Sequence, residues 1–216
     1  MADIFDEVSE ELKQDQLIQF WKKYSKYFIS IALVLIISFL GYFFYNQWKQ
    51  KTLENSSSQY FSAIKKLENK EFESSLEDFS KGVNENNRGY KILSLFGLAE
   101  ANFKLGKINE MILNYETIYN NQDIDIYYRD LARLLTVMKN NTRPFDEQIN
   151  ILQPILNSPS KLQLLASELK ILLMIKFNKI DDAKKSIDQL LSRSEISSEQ
   201  KNRLDLIKKV YSSNAN

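Results

Sequence analysis

Two hydrophobic patterns divide the chain. From Phe28 to Tyr45 the residues FISIALVLIISFLGYFFY are apolar on every side, and no Asp, Glu, Lys or Arg occurs from Tyr27 to Trp48. At about 1.5 Å per residue, a helix of 18 to 20 residues reaches roughly 30 Å, the thickness of a bilayer's hydrocarbon core. The stretch predicts one transmembrane helix. It sets the domain organisation: a tail over 1–26, an anchor over 27–46 and a repeat domain over 53–216. From Leu53 onward the pattern changes, and apolar residues recur at intervals of three and four, as on amphipathic helices.

The anchor has the flanks of a membrane helix. Trp21, Tyr24 and Tyr27 precede it among Lys22, Lys23 and Lys26, and Tyr42, Phe43, Phe44, Tyr45 and Trp48 form a second aromatic belt. Four lysines lie within 15 residues before the span (Lys13, Lys22, Lys23, Lys26) and two after it (Lys49, Lys51). Lysine collects on the cytoplasmic side, so this bias predicts a cytoplasmic N-terminus and a repeat domain across the membrane. The apolar run exceeds the roughly 7–15 residues of a cleavable signal. It is followed by large aromatics where a cleavage site needs small residues, so an uncleaved signal anchor is expected. In the tail, Ile4, Phe5, Val8 and Leu12 fall at helix spacing between acids, which reads as a short amphipathic helix.

Beyond the anchor, four segments align: 70–83, 106–119, 143–156 and 178–191. Their apolar columns are Phe72, Ile108, Phe145, Ile180; then Ser75, Met111, Gln148, Ala183; then Phe79, Tyr115, Leu152, Ile187; then Gly82, Ile118, Ile155, Leu190. Successive members of each column are 36, 37 and 35 residues apart. Each segment is preceded by another helical stretch, roughly 53–69, 91–105, 126–140 and 161–177. A unit of two helices repeated at this period cannot bury its apolar face alone, so neighbours stack into a solenoid. Leu204, Ile207 and Tyr211 share one face of a last polar helix suited to capping, with Ser197 or Ser198 as its N-cap. The fold class is all-α. Whether the helix at 53–69 continues from the span or breaks at Ser56-Ser57-Ser58 is open at this level.

Composition narrows the chemistry. The chain has no Cys and no His, and a net charge of +1. Disulfides, thiolate and imidazole metal sites and imidazole base catalysis are thereby excluded. Five Gly and three Pro, with no phosphate-binding glycine loop and no nucleophile elbow, argue against a nucleotide or hydrolase fold. Pairs such as Glu10-Glu11 and Asp181-Asp182 point about 100° apart on a helix and read as solvated faces. The expectation is a protein without enzymatic activity, cofactor, metal, nucleic-acid partner or small-molecule substrate.

The second unit, LFGLAEANFKLGKINEMILNYETIYNN, resembles a tetratricopeptide repeat. Leu95, Leu98 and Ala99 fall on first-helix packing positions, Leu105-Gly106 at the turn, and Ile108, Met111, Tyr115 and Ile118 on second-helix positions. Met111 and Ile118 depart from the usual Ala, and the turn glycine is replaced by Lys70, Arg143 and Asn178 in the other units. With its MADIFDEV…DQLIQFWKKYSKYFI tail and single span, the whole chain is similar to the bacterial membrane-anchored family that includes the YfgM-like ancillary subunit of the Sec translocon. That resemblance implies residence in the inner membrane, a periplasmic repeat domain, and partners among the translocon, periplasmic chaperones and exported proteins. Rival readings are an envelope or cell-division scaffold and a receptor whose repeats face the cytosol.

In such a solenoid the first helices line the concave face. There the second and third units present Phe96, Glu100, Phe103 and Lys104, then Asp130, Arg133, Val137 and Asn140. Phe96 and Phe103, seven apart, read either as core or as an apolar groove for a client segment. The Lys/Asn/Arg pattern with which some tetratricopeptide domains clamp a C-terminal carboxylate is not present on these positions.

Overall fold

A computed structural model describes residues 2–84, 87–140 and 142–213, with side chains between Leu17 and Tyr211. Among the described residues all regular structure is helical: α1 (Ala2–Glu68), α2 (Phe72–Val83), α3 (Arg88–Lys104), α4 (Ile108–Asn120), α5 (Ile126–Lys139), α6 (Phe145–Leu156), α7 (Gln163–Lys176), α8 (Ile180–Leu191) and α9 (Ser198–Ser213). The chain divides into two compact units, Met1–Asn55 and Ser56–Asn216.

The first unit is helical throughout its described length. It contains no proline, and its single glycine, Gly41, has open space around it. Every side chain from Phe28 to Tyr45 is exposed, and the apolar window is long enough to cross a membrane by length and composition. Ser30 Oγ donates to the Lys26 carbonyl at 2.8 Å. Such an i−4 bond satisfies a hydroxyl without water, as a bilayer requires. Near one end of the run the Trp21 and Phe28 rings stack at 6.1 Å, and near the other Tyr45 and Trp48 lie 6.4 Å apart. The Ser56-Ser57-Ser58 run does not end the helix, since α1 continues to Glu68.

In the second unit, the last turns of α1 pair with α2, followed by α3 with α4, α5 with α6 and α7 with α8. Phe72, Ile108, Phe145 and Ile180 are the first residues of α2, α4, α6 and α8, as the columns predict. The three inner columns are buried at every position. A fully buried Leu, Ile or Phe contributes about 1.5–3 kcal/mol, so these columns hold the stack together. The period extends to the first helices as well. Ala63, Ala99, Thr136 and Ile171 are 36, 37 and 35 residues apart, and each is at most 1% exposed.

Three of the four intra-pair turns share one geometry. Lys70, Gly106 and Asn178 have φ of 67°, 72° and 59°. At each, the residue itself donates to the carbonyl three back, and the next residue donates to the carbonyl five back: Lys70 to Leu67 and Glu71 to Lys66, Gly106 to Phe103 and Lys107 to Asn102, Asn178 to Ile175 and Lys179 to Met174. This is the Schellman arrangement, which satisfies the last carbonyls of a helix through one left-handed residue. The third turn differs. Asn140 Oδ1 accepts from Thr142 N at 3.0 Å and Thr142 Oγ1 at 2.8 Å, Pro144 opens α6, and Gln148 Nε2 donates to the Arg143 carbonyl at 2.6 Å. Arg143 therefore does not take the left-handed role of the turn glycine.

At the far end, Ser197 Oγ accepts from Gln200 N at 3.2 Å while Gln200 Oε1 accepts from Ser197 N at 3.0 Å. This capping box starts α9. Leu204 is buried against α7 and α8 in a cluster with Ile171, Ala183 and Ile187. Arg203 holds both oxygens of Glu168, at 3.1 and 3.0 Å.

Candidate functional site

The face expected to bind sits on α3 and α5. Phe96 and Phe103 are both half-buried and pack against a core of Leu95, Ala99, Met111 and Tyr115. The Phe96 and Tyr115 rings lie 6.0 Å apart. Burial, helped by the nearby Glu100 charge, pushes the Tyr115 phenol well above its ordinary range. These aromatics are neither closed core nor open groove.

Glu100 pairs with Lys139 of α5, and Lys104 Nζ lies 3.6 Å from its other oxygen. Lys139 Nζ also sits 4.3 Å from the Phe103 ring centroid, a cation–π contact. Glu100, Phe103 and Lys104 are thus joined to Lys139 across the boundary between two repeats.

Arg133 turns the other way. Its guanidinium lies 4.5 Å over the Tyr119 ring, and its Nη2 donates to the Tyr119 carbonyl at 3.3 Å. Burial lowers the Arg133 pKa. The Tyr119 hydroxyl donates to Glu116 Oε1 at 3.1 Å, and Arg143 Nη2 reaches the same oxygen at 3.1 Å. Burial first, and the Glu116 charge second, push the Tyr119 phenol up to about 12.

Val137 is 3% exposed and packs in the core with Leu134 and Leu152. Asp130 and Asn140 are each 1% exposed. The structure therefore gathers Phe96, Glu100, Phe103 and Lys104 on one half-open face, places Arg133 against α4 and puts Val137 inside.

Several contributors are not visible in the local pattern. Lys139 meets Glu100 across 39 residues and Arg143 meets Glu116 across 27, separations that carry no periodic signal. Leu165 and Leu172 on α7 are 43% and 49% exposed. They stand 72 residues after Leu93 and Glu100, so the repeat itself marks them as the same stripe. Among the described residues no group of three or more acidic side chains is placed to hold a metal ion.

No curated protein and no solved structure matches the chain. A family does: the match covers residues 18–206, from the approach to the apolar run through the repeats into α9. With helix pairs at a 36-residue period, left-handed turns at 70, 106 and 178, and a match over most of its length, the chain belongs to the tetratricopeptide repeat-like domain family.

Proposed function

We propose that this protein is a membrane-anchored scaffold for protein–protein interaction. Its repeat domain is held at the outer face of a bacterial inner membrane, where it serves as an ancillary translocon subunit contacting periplasmic chaperones or exported chains. The observation that carries the reading is the joining of two features in one chain. An 18-residue charge-free run, exposed along its length, precedes a family of repeats used for binding other proteins. The lysine bias across the run supports a cytoplasmic N-terminus.

Anchoring raises the local concentration of the domain near membrane-bound partners, so weak contacts become effective. The face that takes the partner is that of Phe96, Glu100, Phe103 and Lys104, extended by Leu165 and Leu172 and backed by Arg133 and the buried Val137. Half-buried aromatics beside a fixed charge pair suit an extended segment bearing alternate apolar and polar side chains.

Two measurements test this. Alkaline phosphatase and, separately, a cytosol-only fluorescent protein are fused after Asn216; active phosphatase with a dark fluorescent fusion is expected. Pull-down from intact membranes is expected to recover translocon or chaperone components. The reverse reporter pattern, or recovery at background, overturns the translocon assignment.

A further inference from the structure

At the start of α5 the chain forms a hollow of about 640 Å³ lined by Ile126, Tyr127, Asp130, Pro159, Ser160 and Lys161. Its size lies within the roughly 300–1,000 Å³ of small-molecule and side-chain sites. Asp130 is 1% exposed, and among the described residues no ion pair involves it. Ser160 Oγ donates to Asp130 Oδ2 at 2.5 Å and accepts from Leu162 N at 3.2 Å, so its donor is fully used. Asp130 Oδ1 is left without a hydrogen-bond partner. A buried carboxylate oxygen with no donor is costly, and the cost is relieved by whatever supplies one.

The surroundings select the donor. Asp125 caps α5 by accepting from Tyr127 N at 2.8 Å and adds a second carboxylate to the same hollow, which disfavours anions. Tyr127 offers an exposed ring at the rim, set edge-on to Tyr128 at 5.8 Å. A carboxylate behind an aromatic wall is the setting for a guanidinium or ammonium group, which hydrogen-bonds the one and stacks on the other.

We propose that this hollow is a subsite for a cationic side chain, arginine above all, of a polypeptide bound to the repeat domain. The assignment rests on the polypeptide-binding reading for its source, and on Asp130, Ser160 and Tyr127 for its chemistry. Arginine fits better than lysine because its planar fork can donate to Oδ1 while its face lies on the ring. Exposed Lys161 lies in the same lining, where its charge opposes the entry of a second cation.

The test uses the full chain in nanodiscs and ligand-observed saturation-transfer NMR. The probes are N-acetyl-arginine methylamide and its uncharged citrulline counterpart. The arginine compound is expected to bind, with affinity falling at least about tenfold in Asp130→Asn, the loss of one charge-assisted hydrogen bond. Lys161→Ala, on an exposed side chain, is expected to tighten binding about two- to fivefold by removing the like charge from the lining. The citrulline compound is expected to respond to neither change. Equal binding of the two compounds, or an arginine affinity unmoved by both substitutions, overturns the proposal. A capped single residue needs no extended groove, so this result stands apart from the membrane pull-down, and either reading can fail alone.

Discussion

The Phe79 ring occupies the space that a side chain on Gly97 would need: a Cβ at position 97 would fall 2.3 Å from Phe79 Cε1 and 2.5 Å from Cζ. The missing side chain lets α3 approach α2 closely. Phe79 is fully buried beside Tyr60, whose ring lies 5.9 Å away, so it has little room to turn aside. Alanine at 97 would gain helix propensity of about 1 kcal/mol, yet the clash costs about 1–3 kcal/mol and prevails in a packed interior. Gly97→Ala is therefore expected to lower the denaturation midpoint of the repeat domain. In a Phe79→Leu background the same substitution is expected to be nearly neutral. Additive effects in the double mutant would show that the two residues do not compete for this space.

The three left-handed turns make a second comparison. Gly106 adopts φ of 72° at no steric cost, whereas Lys70 and Asn178 hold the same region with side chains attached. A non-glycine residue there costs roughly 1 kcal/mol, with Asn tolerated best. Gly106→Ala is expected to destabilise by about 1 kcal/mol, and Lys70→Gly to stabilise by up to about the same amount. Asn178→Gly should gain less. Chemical denaturation of the three variants gives the ranking directly, and a stabilising Gly106→Ala would contradict it.

Most of the architecture is legible in the sequence because it is written in buried columns. Met111, Tyr115 and Ile118, and their counterparts to Leu190, repeat at the spacing that a stacked pair imposes. The first-helix column of Ala63, Ala99, Thr136 and Ile171 is harder to see, since packing at that position accepts a residue as large as isoleucine. The third turn escaped the pattern because Asn140, Thr142 and Pro144 replace one left-handed residue with a side-chain-bonded loop. The candidate face was legible in part. Helix spacing finds which residues share a stripe, but the depth of each depends on its neighbours. Val137 sinks into the core that α6 and α7 complete, while Phe96 stays half open.

Tyr119 sets a pH dependence at the alkaline end. Its phenol is raised to about 12 in the folded chain from an ordinary value of 10.0. The folded state thus keeps a proton that the unfolded state releases first. The stability from this group is fully present below about pH 10 and is lost as pH rises towards 12. Tyr115, shifted in the same direction, adds to the slope. Unfolding free energy is expected to fall over this window, and Tyr119→Phe to make the fall shallower. The ultraviolet absorbance of tyrosinate, followed with the unfolding curve, checks it; an unchanged slope in the variant would remove Tyr119 as its source.

Leu204 tests how far the last helix is a separate stabilising element. It is 1% exposed and joins α9 to Ile171, Ala183 and Ile187. Outside Leu204 and the partly buried Ile207 beside it, α9 is tied to the preceding repeat by Gln200 and Arg203 to Glu168 and by Lys208 to Asp188 at 2.5 Å. Exposed pairs of this kind contribute about 0–1 kcal/mol each, whereas deleting a buried leucine side chain costs about 2–5 kcal/mol. The apolar contact therefore outweighs the ion pairs. In a stack where each repeat touches only its neighbours, the loss stays near the end where it is made. Leu204→Ala is expected to speed hydrogen exchange in α9 and α8 while leaving α3 and α4 protected, and Arg203→Ala to change exchange in α9 only slightly. Uniform loss of protection from α2 to α9 in Leu204→Ala would mean that the repeats unfold as one cooperative block.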